Sequence, residues 1–157
     1  MPAIYSRSCE YAVRALTRLA RLGVGEHCPI RSVGQDETIP LPFLAKIMRD
    51  LGKAGLVEAV RGRGGGIRLA KPPTAIRLID IVDAMDGLES FDRCAVGLAQ
   101  CDDEVPCALH DRFKPLREAI RSFLADRSLD DMAKTAIAKE RSLAAKGLGV
   151  RGGETAA

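Results

Sequence analysis

The chain has 157 residues, of which 46% are hydrophobic and 29% charged, and its formal net charge is +3. This composition is typical of a folded globular protein and excludes a disordered chain, and no stretch approaches the roughly 20 consecutive apolar residues of a membrane span. The start, MPAIYSRSCEYAVRAL, lacks the apolar core and cleavage site of a signal peptide, so a cytoplasmic location is expected.

Two helices with a shorter one between them are predicted in the N-terminal part. Residues 7–22 place apolar side chains at the spacing of one helix face, with Ser6 as an N-cap and glycines after the last turn. A short helix is predicted over Ile30–Asp36 and a clearer one over 41–54, where Pro42 fits the first turn. The apolar stripes of the first and third helices are Ala12, Ala15, Leu16, Leu19 and Leu22, and Leu44, Ile47, Met48 and Leu51.

A β-hairpin is predicted next. Residues 56–60 and 67–70 form two short apolar strands around the loop RGRGGG, and two prolines close the module. The glycines match neither a P-loop, which needs Lys-Ser or Lys-Thr after the last glycine, nor the G-x-G-x-x-G dinucleotide motif. An ordinary hairpin turn explains one or two glycines, but it explains four glycines interleaved with two arginines poorly.

Helix, short helix, helix and hairpin in this order predict a winged helix-turn-helix over residues 1–74, with the third helix in the DNA major groove. Residues 1–71 carry 12 Lys and Arg against 6 Asp and Glu, whereas residues 72–127 carry 7 against 11, which favours a polyanion-binding module joined to another part. An uneven but merely solvated surface is the alternative. The cations predicted to contact DNA are Lys46, Arg49, Lys53, Arg61 and Arg63.

Residues 75–146 are predicted to hold a loop and dimerisation helices, followed by a flexible tail over 147–157. Helices are expected at 76–86, at 108–126 with a bend at Pro115, and at 129–145. The first of these is expected to bury Ile76, Ile79, Val82 and Met85. The second has an apolar face larger than its own core needs, which predicts a homodimer, and this face consists of Phe113, Leu116, Ile120 and Phe123.

The segment between these helices has no periodicity and concentrates cysteines as Cys94-x6-Cys101-x5-Cys107-x2-His110. Three thiolates on one irregular loop are typical of an iron–sulfur site, whereas structural zinc prefers C-x2–4-C pairs. Three incidental thiols are the alternative. Of the two other cysteines, Cys9 is interpreted as a small buried residue.

The combination of these motifs resembles the IscR/NsrR/RirA family of winged-helix iron–sulfur transcription regulators (Rrf-type). The resemblance runs from about Cys9 to Met132 and rests on CEYAVRALTRLA, on LPFLAKIMRDLGKAGLVEAVRGRGGGIRLAKP and on the cysteine and histidine spacing. It implies a homodimer that binds an inverted-repeat operator on double-stranded DNA. It also implies control by an iron–sulfur cluster that senses iron, redox state or nitric oxide, with [2Fe–2S] favoured over [4Fe–4S].

The resemblance also assigns roles to particular residues. Cys94, Cys101 and Cys107 match the three cluster thiolates, although the first gap is one residue longer than in IscR and NsrR. Two candidates match a fourth ligand: His110 from the same chain, and Glu10 from the partner subunit, which is slightly favoured. The positions that contact bases in IscR-like proteins are occupied by Pro42, Phe43 and Ala45, and Arg61 matches the arginine that enters the minor groove.

Two other classes of function are alternatives to this one. A cluster-free winged-helix regulator would be switched by thiol oxidation or by a docked partner enzyme. An enzyme or electron carrier would use the cluster for chemistry, but the sequence shows no substrate-pocket motif and no nucleophile–base pair. The chain is therefore not expected to be an enzyme.

Overall fold

The structure is a computed structural model and describes residues 4–98 and 102–147. Over these residues it is mainly helical, with one two-stranded antiparallel hairpin, which confirms the predicted fold class. The elements are α1 (Arg7–Ala20), α2 (Ile30–Asp36), α3 (Leu41–Lys53), β1 (Val57–Val60), β2 (Gly66–Leu69), α4 (Leu78–Asp86), α5 (His110–Asp126) and α6 (Leu129–Ala145).

Helix α1 lies at the centre of the fold because α2, α3, α4 and α6 all pack against it. Its N-terminus is capped as predicted: the Ser6 hydroxyl accepts a hydrogen bond from the Cys9 N–H at 3.1 Å. The Asp86 carboxylate at the end of α4 accepts hydrogen bonds from the Ser6 N–H and hydroxyl at 2.7 and 2.5 Å. These bonds join the start of α1 to the end of α4.

The hairpin pairs Val57 with Leu69 and Val60 with Gly66. A further bridge places Cys28, in the α1–α2 connection, beside Ile67 of β2 through bonds of 2.9 and 3.2 Å. The hairpin is therefore held to the helices by main-chain hydrogen bonds as well as by its buried side chains.

The prediction for α4 is wrong in its boundary and in part of its buried face. The helix begins at Leu78, and Ile76 lies before it in extended backbone, fully buried. An extended conformation is favoured here because the Leu129 N–H donates to the Ile76 carbonyl at 2.7 Å. Within the helix, the buried side chains are Leu78, Ile81 and Val82, while Ile79 and Met85 are only partly buried.

Helix α6 is a full helix of 17 residues with a capping box formed by Ser128 and Asp131. It packs along α1, where Arg21 donates to Glu140 at 2.7 Å. Leu124 of α5 and Leu129 of α6 belong to the same buried hydrophobic cluster as the core of α1 and α3. One core therefore joins the N-terminal module to the helices that follow it.

No helix in residues 4–98 and 102–147 is long and apolar enough to cross a membrane. The predicted tail falls outside the described residues from position 148 onward, and Cys101 also lies outside them.

Candidate nucleic-acid interface and cysteine site

The exposed face of α3 combines apolar and basic side chains. Leu44, Ile47, Met48 and Leu51 are buried, as the apolar stripe predicts. The remaining positions except the half-buried Asp50 are exposed, and they include all the candidate DNA-contacting residues of this helix: Pro42, Phe43, Ala45, Lys46, Arg49 and Lys53. Phe43 is the most exposed of the large hydrophobic side chains on this helix, at 60%.

The hairpin turn exposes Arg61 and Arg63, and its glycines are required by the fold itself. Gly62 and Gly64 have φ values of 101° and 79°, a region that favours glycine. A Cβ on Gly65 would lie 2.2 Å from a main-chain oxygen of β1. The glycines therefore shape the turn that carries the two arginines, and the His27 ring, within 3.0 Å of the Gly64 carbonyl, braces it.

Ion pairs sort the cations of the N-terminal part into two groups. Arg14 and Arg18 of α1 pair with acidic residues at the C-terminal end of α2. Arg21, the C-cap of α1, pairs with Glu140 of α6. Within the described part of the chain, no ion pair involves Lys46, Arg49, Arg61 or Arg63, and Lys53 has only a 3.4 Å contact with Asp50. In the part of the chain that the structure describes, the exposed cations without an ion pair therefore include those of α3 and the hairpin turn, together with Arg7 at the start of α1 and Lys71 after β2.

Arg31 belongs to the same group of exposed cations and was missed by the sequence analysis. It lies on α2, which packs against α3. Its only signal in the sequence is a basic residue in a short, weakly patterned helix.

Cys94 is the best-defined thiol of the cysteine segment. It is 8% exposed, and main-chain N–H groups of Val96, Leu98 and Gly97 lower the pKa of its thiol. The Cys107 side chain lies within hydrogen-bonding reach of Cys94 and lowers that pKa further. Because these donors favour the charged form, the segment is arranged to stabilise a thiolate at Cys94.

His110, the first residue of α5, is also buried. Its Nε2 lies 2.7 Å from an Asp103 oxygen, and Lys114 donates to the same carboxylate at 2.8 Å. Lys114 and then His110 lower the pKa of the Asp103 carboxyl. Asp103 was missed by the sequence analysis, since it stands in an acidic run, DDE, with nothing to distinguish it from its neighbours.

Among the described residues, the side chains of Cys94 and Cys107 lie together. His110 follows Cys107 by three residues in the chain. The described residues contain no cluster of three or more His, Cys, Asp or Glu side chains arranged to hold a metal ion. Glu10 lies exposed on α1.

Cys9 is fully buried, as predicted, and burial is the main cause that raises the pKa of its thiol to about 12. It therefore stays protonated at neutral pH.

Comparison with known proteins places this geometry in a family. A model described as "Iron-dependent Transcriptional regulator", Rrf2, matches residues 5–135. The chain belongs to the Rrf2 family. Its members are transcriptional regulators, which confirms both the resemblance drawn from the sequence and the expectation that the chain is not an enzyme.

Individual Rrf2 relatives agree with this assignment. The HTH-type transcriptional regulator IscR of Vibrio atlanticus is 32% identical over 124 residues, which cover 79% of this chain and 71% of that protein. The structure of T. potens IscR matches with a TM-score of 0.71 and 26% identity, covering 87% of this chain and 90% of that one. CymR, the global cysteine regulator of B. subtilis, shares the fold with a TM-score of 0.70 at 24% identity, over 86% and 98% of the two chains.

Proposed function

We propose that this Rrf2 protein is a homodimeric DNA-binding regulator whose affinity for an inverted-repeat operator is controlled by an iron–sulfur cluster. The observation that carries the proposal is the pairing of Cys94 with Cys107 beside main-chain N–H donors. The third thiolate is assigned to Cys101 by its place in the spacing. The likeness to IscR proteins supports the same assignment.

The DNA-binding surface is assigned to α3 and the hairpin turn. Lys46, Arg49 and the two turn arginines have no acidic partner among the described residues, and Lys53 has only its 3.4 Å contact with Asp50, so these cations are available to DNA phosphates. Arg61 is assigned to the minor groove, and α3 to the major groove. DNA affinity is then expected to fall steeply with salt, because bound cations release counterions from DNA.

The chemistry of the donors fits an iron–sulfur cluster, because the thiols of Cys94 and Cys107 lie together and the sequence offers a third at Cys101. Cys94, Cys101 and Cys107 would hold it, and a [2Fe–2S] form is favoured over [4Fe–4S]. A bound cluster supplies a centre that responds to iron supply, redox state or nitric oxide. The N–H groups after Cys94 stabilise the negative charge of its sulfur, which is the interaction that tunes cluster sulfurs in proteins.

Two residues are proposed for the fourth position. His110 is close to Cys107 in the chain, and its Nε2 is held by Asp103. Glu10 lies on the first helix of the DNA-binding module, so a ligand from the partner subunit at this position would link the cluster to that module. A carboxylate is a harder ligand than a thiolate and would make the site labile.

Cluster spectra of purified variants test these assignments. The protein is prepared anaerobically, and its iron, sulfide and visible absorption are measured. Cys94→Ala, Cys101→Ala and Cys107→Ala are each expected to abolish the visible absorption, whereas Cys28→Ala serves as the matched control and retains it. Glu10→Ala and His110→Ala are then compared. If only His110→Ala changes the spectrum, the assignment of Glu10 across the dimer is wrong.

A second candidate is a cluster-free thiol switch, which is favoured by the lowered pKa of Cys94 next to the Cys107 thiol. Hydrogen peroxide would oxidise these two thiols to one disulfide: its O–O bond breaks, and its two oxygens leave as two water molecules that take up the two thiol protons. The two candidates differ in one observation. A colourless anaerobic protein without iron supports the thiol switch, and a brown protein with iron and sulfide supports the cluster.

A further inference from the structure

The start of α3 presents an apolar surface to solvent. None of the five side chains at 41–45 can donate or accept a hydrogen bond, since their sequence is LPFLA. Leu44 is buried in the core, but Phe43 is 60% exposed and Leu41 36% exposed. The apolar patch formed by Leu41, Pro42, Phe43 and Ala45 therefore has no role in the core of its own chain.

Charge identifies the occupant of this patch as duplex DNA. Lys46 and Arg49 follow on the same helix, both exposed and without an ion pair in the part of the chain that the structure describes. The turn arginines, Arg61 and Arg63, are exposed as well and have no ion pair among the described residues. An apolar patch bordered by uncompensated cations suits a polyanion that also offers apolar groups, and duplex DNA does so through the methyl groups of thymine.

We infer that this patch reads thymine methyl groups in the operator, with Phe43 as the main specificity-determining residue. The inference rests on the proposed function. The N-terminal residues of a recognition helix meet base edges in the major groove. Side chains without donors or acceptors would leave the polar groups of those edges unpaired, at a cost in free energy. The C5 methyl of thymine is the one apolar group on these edges, so it is the favourable partner.

The test removes single methyl groups from the DNA. The duplex is first selected from a random-sequence pool by the full-length, anaerobically prepared protein. Each thymine of the selected duplex is then replaced in turn by deoxyuridine, which lacks only the C5 methyl. At the thymine that contacts Phe43 in each half-site, affinity is expected to fall about four-fold, as for the exposure of one methyl-sized group. Replacement of other thymines is expected to leave affinity unchanged.

Protein variants then assign the effect to Phe43. In Phe43→Ala, affinity for the thymine duplex is expected to fall on the order of ten-fold or more, because a large apolar contact is lost. The four-fold difference between the thymine and deoxyuridine duplexes should then disappear. Lys53→Ala is the matched control on the same helix: it weakens binding to both duplexes and retains their ratio. Thermal unfolding checks that each variant folds.

Two results would overturn the inference while leaving the proposed function intact. One is a selected duplex in which no thymine-to-deoxyuridine replacement lowers affinity. The other is a Phe43→Ala protein that still distinguishes the two duplexes. If the pool yields no preferred sequence, sequence-specific DNA binding itself fails, and the proposed function fails with it.

Discussion

Replacing the exposed apolar side chains of α5 should dissociate the proposed homodimer. Leu109, Phe113, Leu116, Ile120 and Phe123 alternate in steps of four and three residues, which is the spacing of a helix–helix seam. The sequence analysis assigned all of them except Leu109 to the dimer face. In the structure, however, Ile120 packs partly against the core of its own chain, so it is a poor probe of the dimer. Leu116 and Phe123 are 55% and 52% exposed and are the appropriate positions.

The expected loss of dimer stability follows from these exposed fractions. Full burial of such a side chain contributes about 1.5–3 kcal/mol. Because each of the two side chains is about half exposed in the single chain, its burial in the dimer would contribute roughly 1 kcal/mol. A symmetric dimer brings together four such side chains, two from each subunit, so they contribute about 4 kcal/mol to its stability. Losing this contribution raises the dissociation constant of the dimer about 1,000-fold. Leu116→Asp with Phe123→Asp should therefore give a monomer at micromolar concentration.

Sedimentation velocity measures this directly. Ser122→Asp is the matched control, because Ser122 is exposed on the same helix outside the apolar seam. It introduces the same charge and should leave the dimer intact. A double variant that folds and still sediments as a dimer would refute the assignment of α5 to the interface.

Three further changes test other parts of the account. Gly66→Ala places a methyl group 2.1 Å from the Cys28 carbonyl oxygen, so it should lower stability by about 1–3 kcal/mol in thermal unfolding; unchanged stability would show that the bridge tolerates displacement. Arg61→Ala should cost about 1–3 kcal/mol of operator affinity and alter base preference at its position, whereas a loss equal for all sequences would make Arg61 a phosphate contact. Ser128→Ala should cost about 1 kcal/mol of unfolding free energy. The bonds that the Ser128 N–H and hydroxyl donate to the Asp131 carboxylate lower its pKa from the usual value of 3.8. The stabilisation from these two bonds should be present above 3.8 and be lost as pH falls through the lowered pKa, whereas the bond from the Asp131 N–H to the Ser128 hydroxyl should persist; denaturant unfolding at pH 7 and near pH 3 measures the difference.

Much of the N-terminal module could be predicted because its helices bury one face each. The apolar stripe of α3 matches its buried residues, and that of α1 does so except at Leu22, which lies beyond the end of the helix at Ala20 and is only partly buried. Ser6 caps α1 as its side chain allows. These features depend on contacts close in the chain, which periodicity and capping rules describe well.

The errors arise where distant segments meet. Ile76 fits a helical pattern, but it lies in extended backbone because its carbonyl accepts a hydrogen bond from Leu129, more than fifty residues later. Periodicity also could not decide which part of the α5 apolar face packs on its own chain, since Ile120 and Phe123 are equally hydrophobic in the sequence. Their burial differs only because α5 packs beside α4.

The candidate sites show the same division. Exposed cations on α3 could be predicted because the buried stripe fixes the opposite face. The role of Asp103 could not, because its contacts with His110 and Lys114 depend on how an irregular loop returns to α5. The need for glycine at Gly66 likewise follows from the approach of Cys28, which belongs to a different part of the chain.

The central claim is that the cluster site controls DNA binding. The most direct test is to measure affinity for the selected duplex with the anaerobic, cluster-loaded protein and with the same protein after chelation of its iron, at one salt concentration. The account predicts a brown protein containing iron and sulfide, and an operator affinity that changes on chelation, with no change in the colourless Cys94→Ala variant. A protein that binds no iron, or one whose operator affinity is the same before and after chelation, would contradict it.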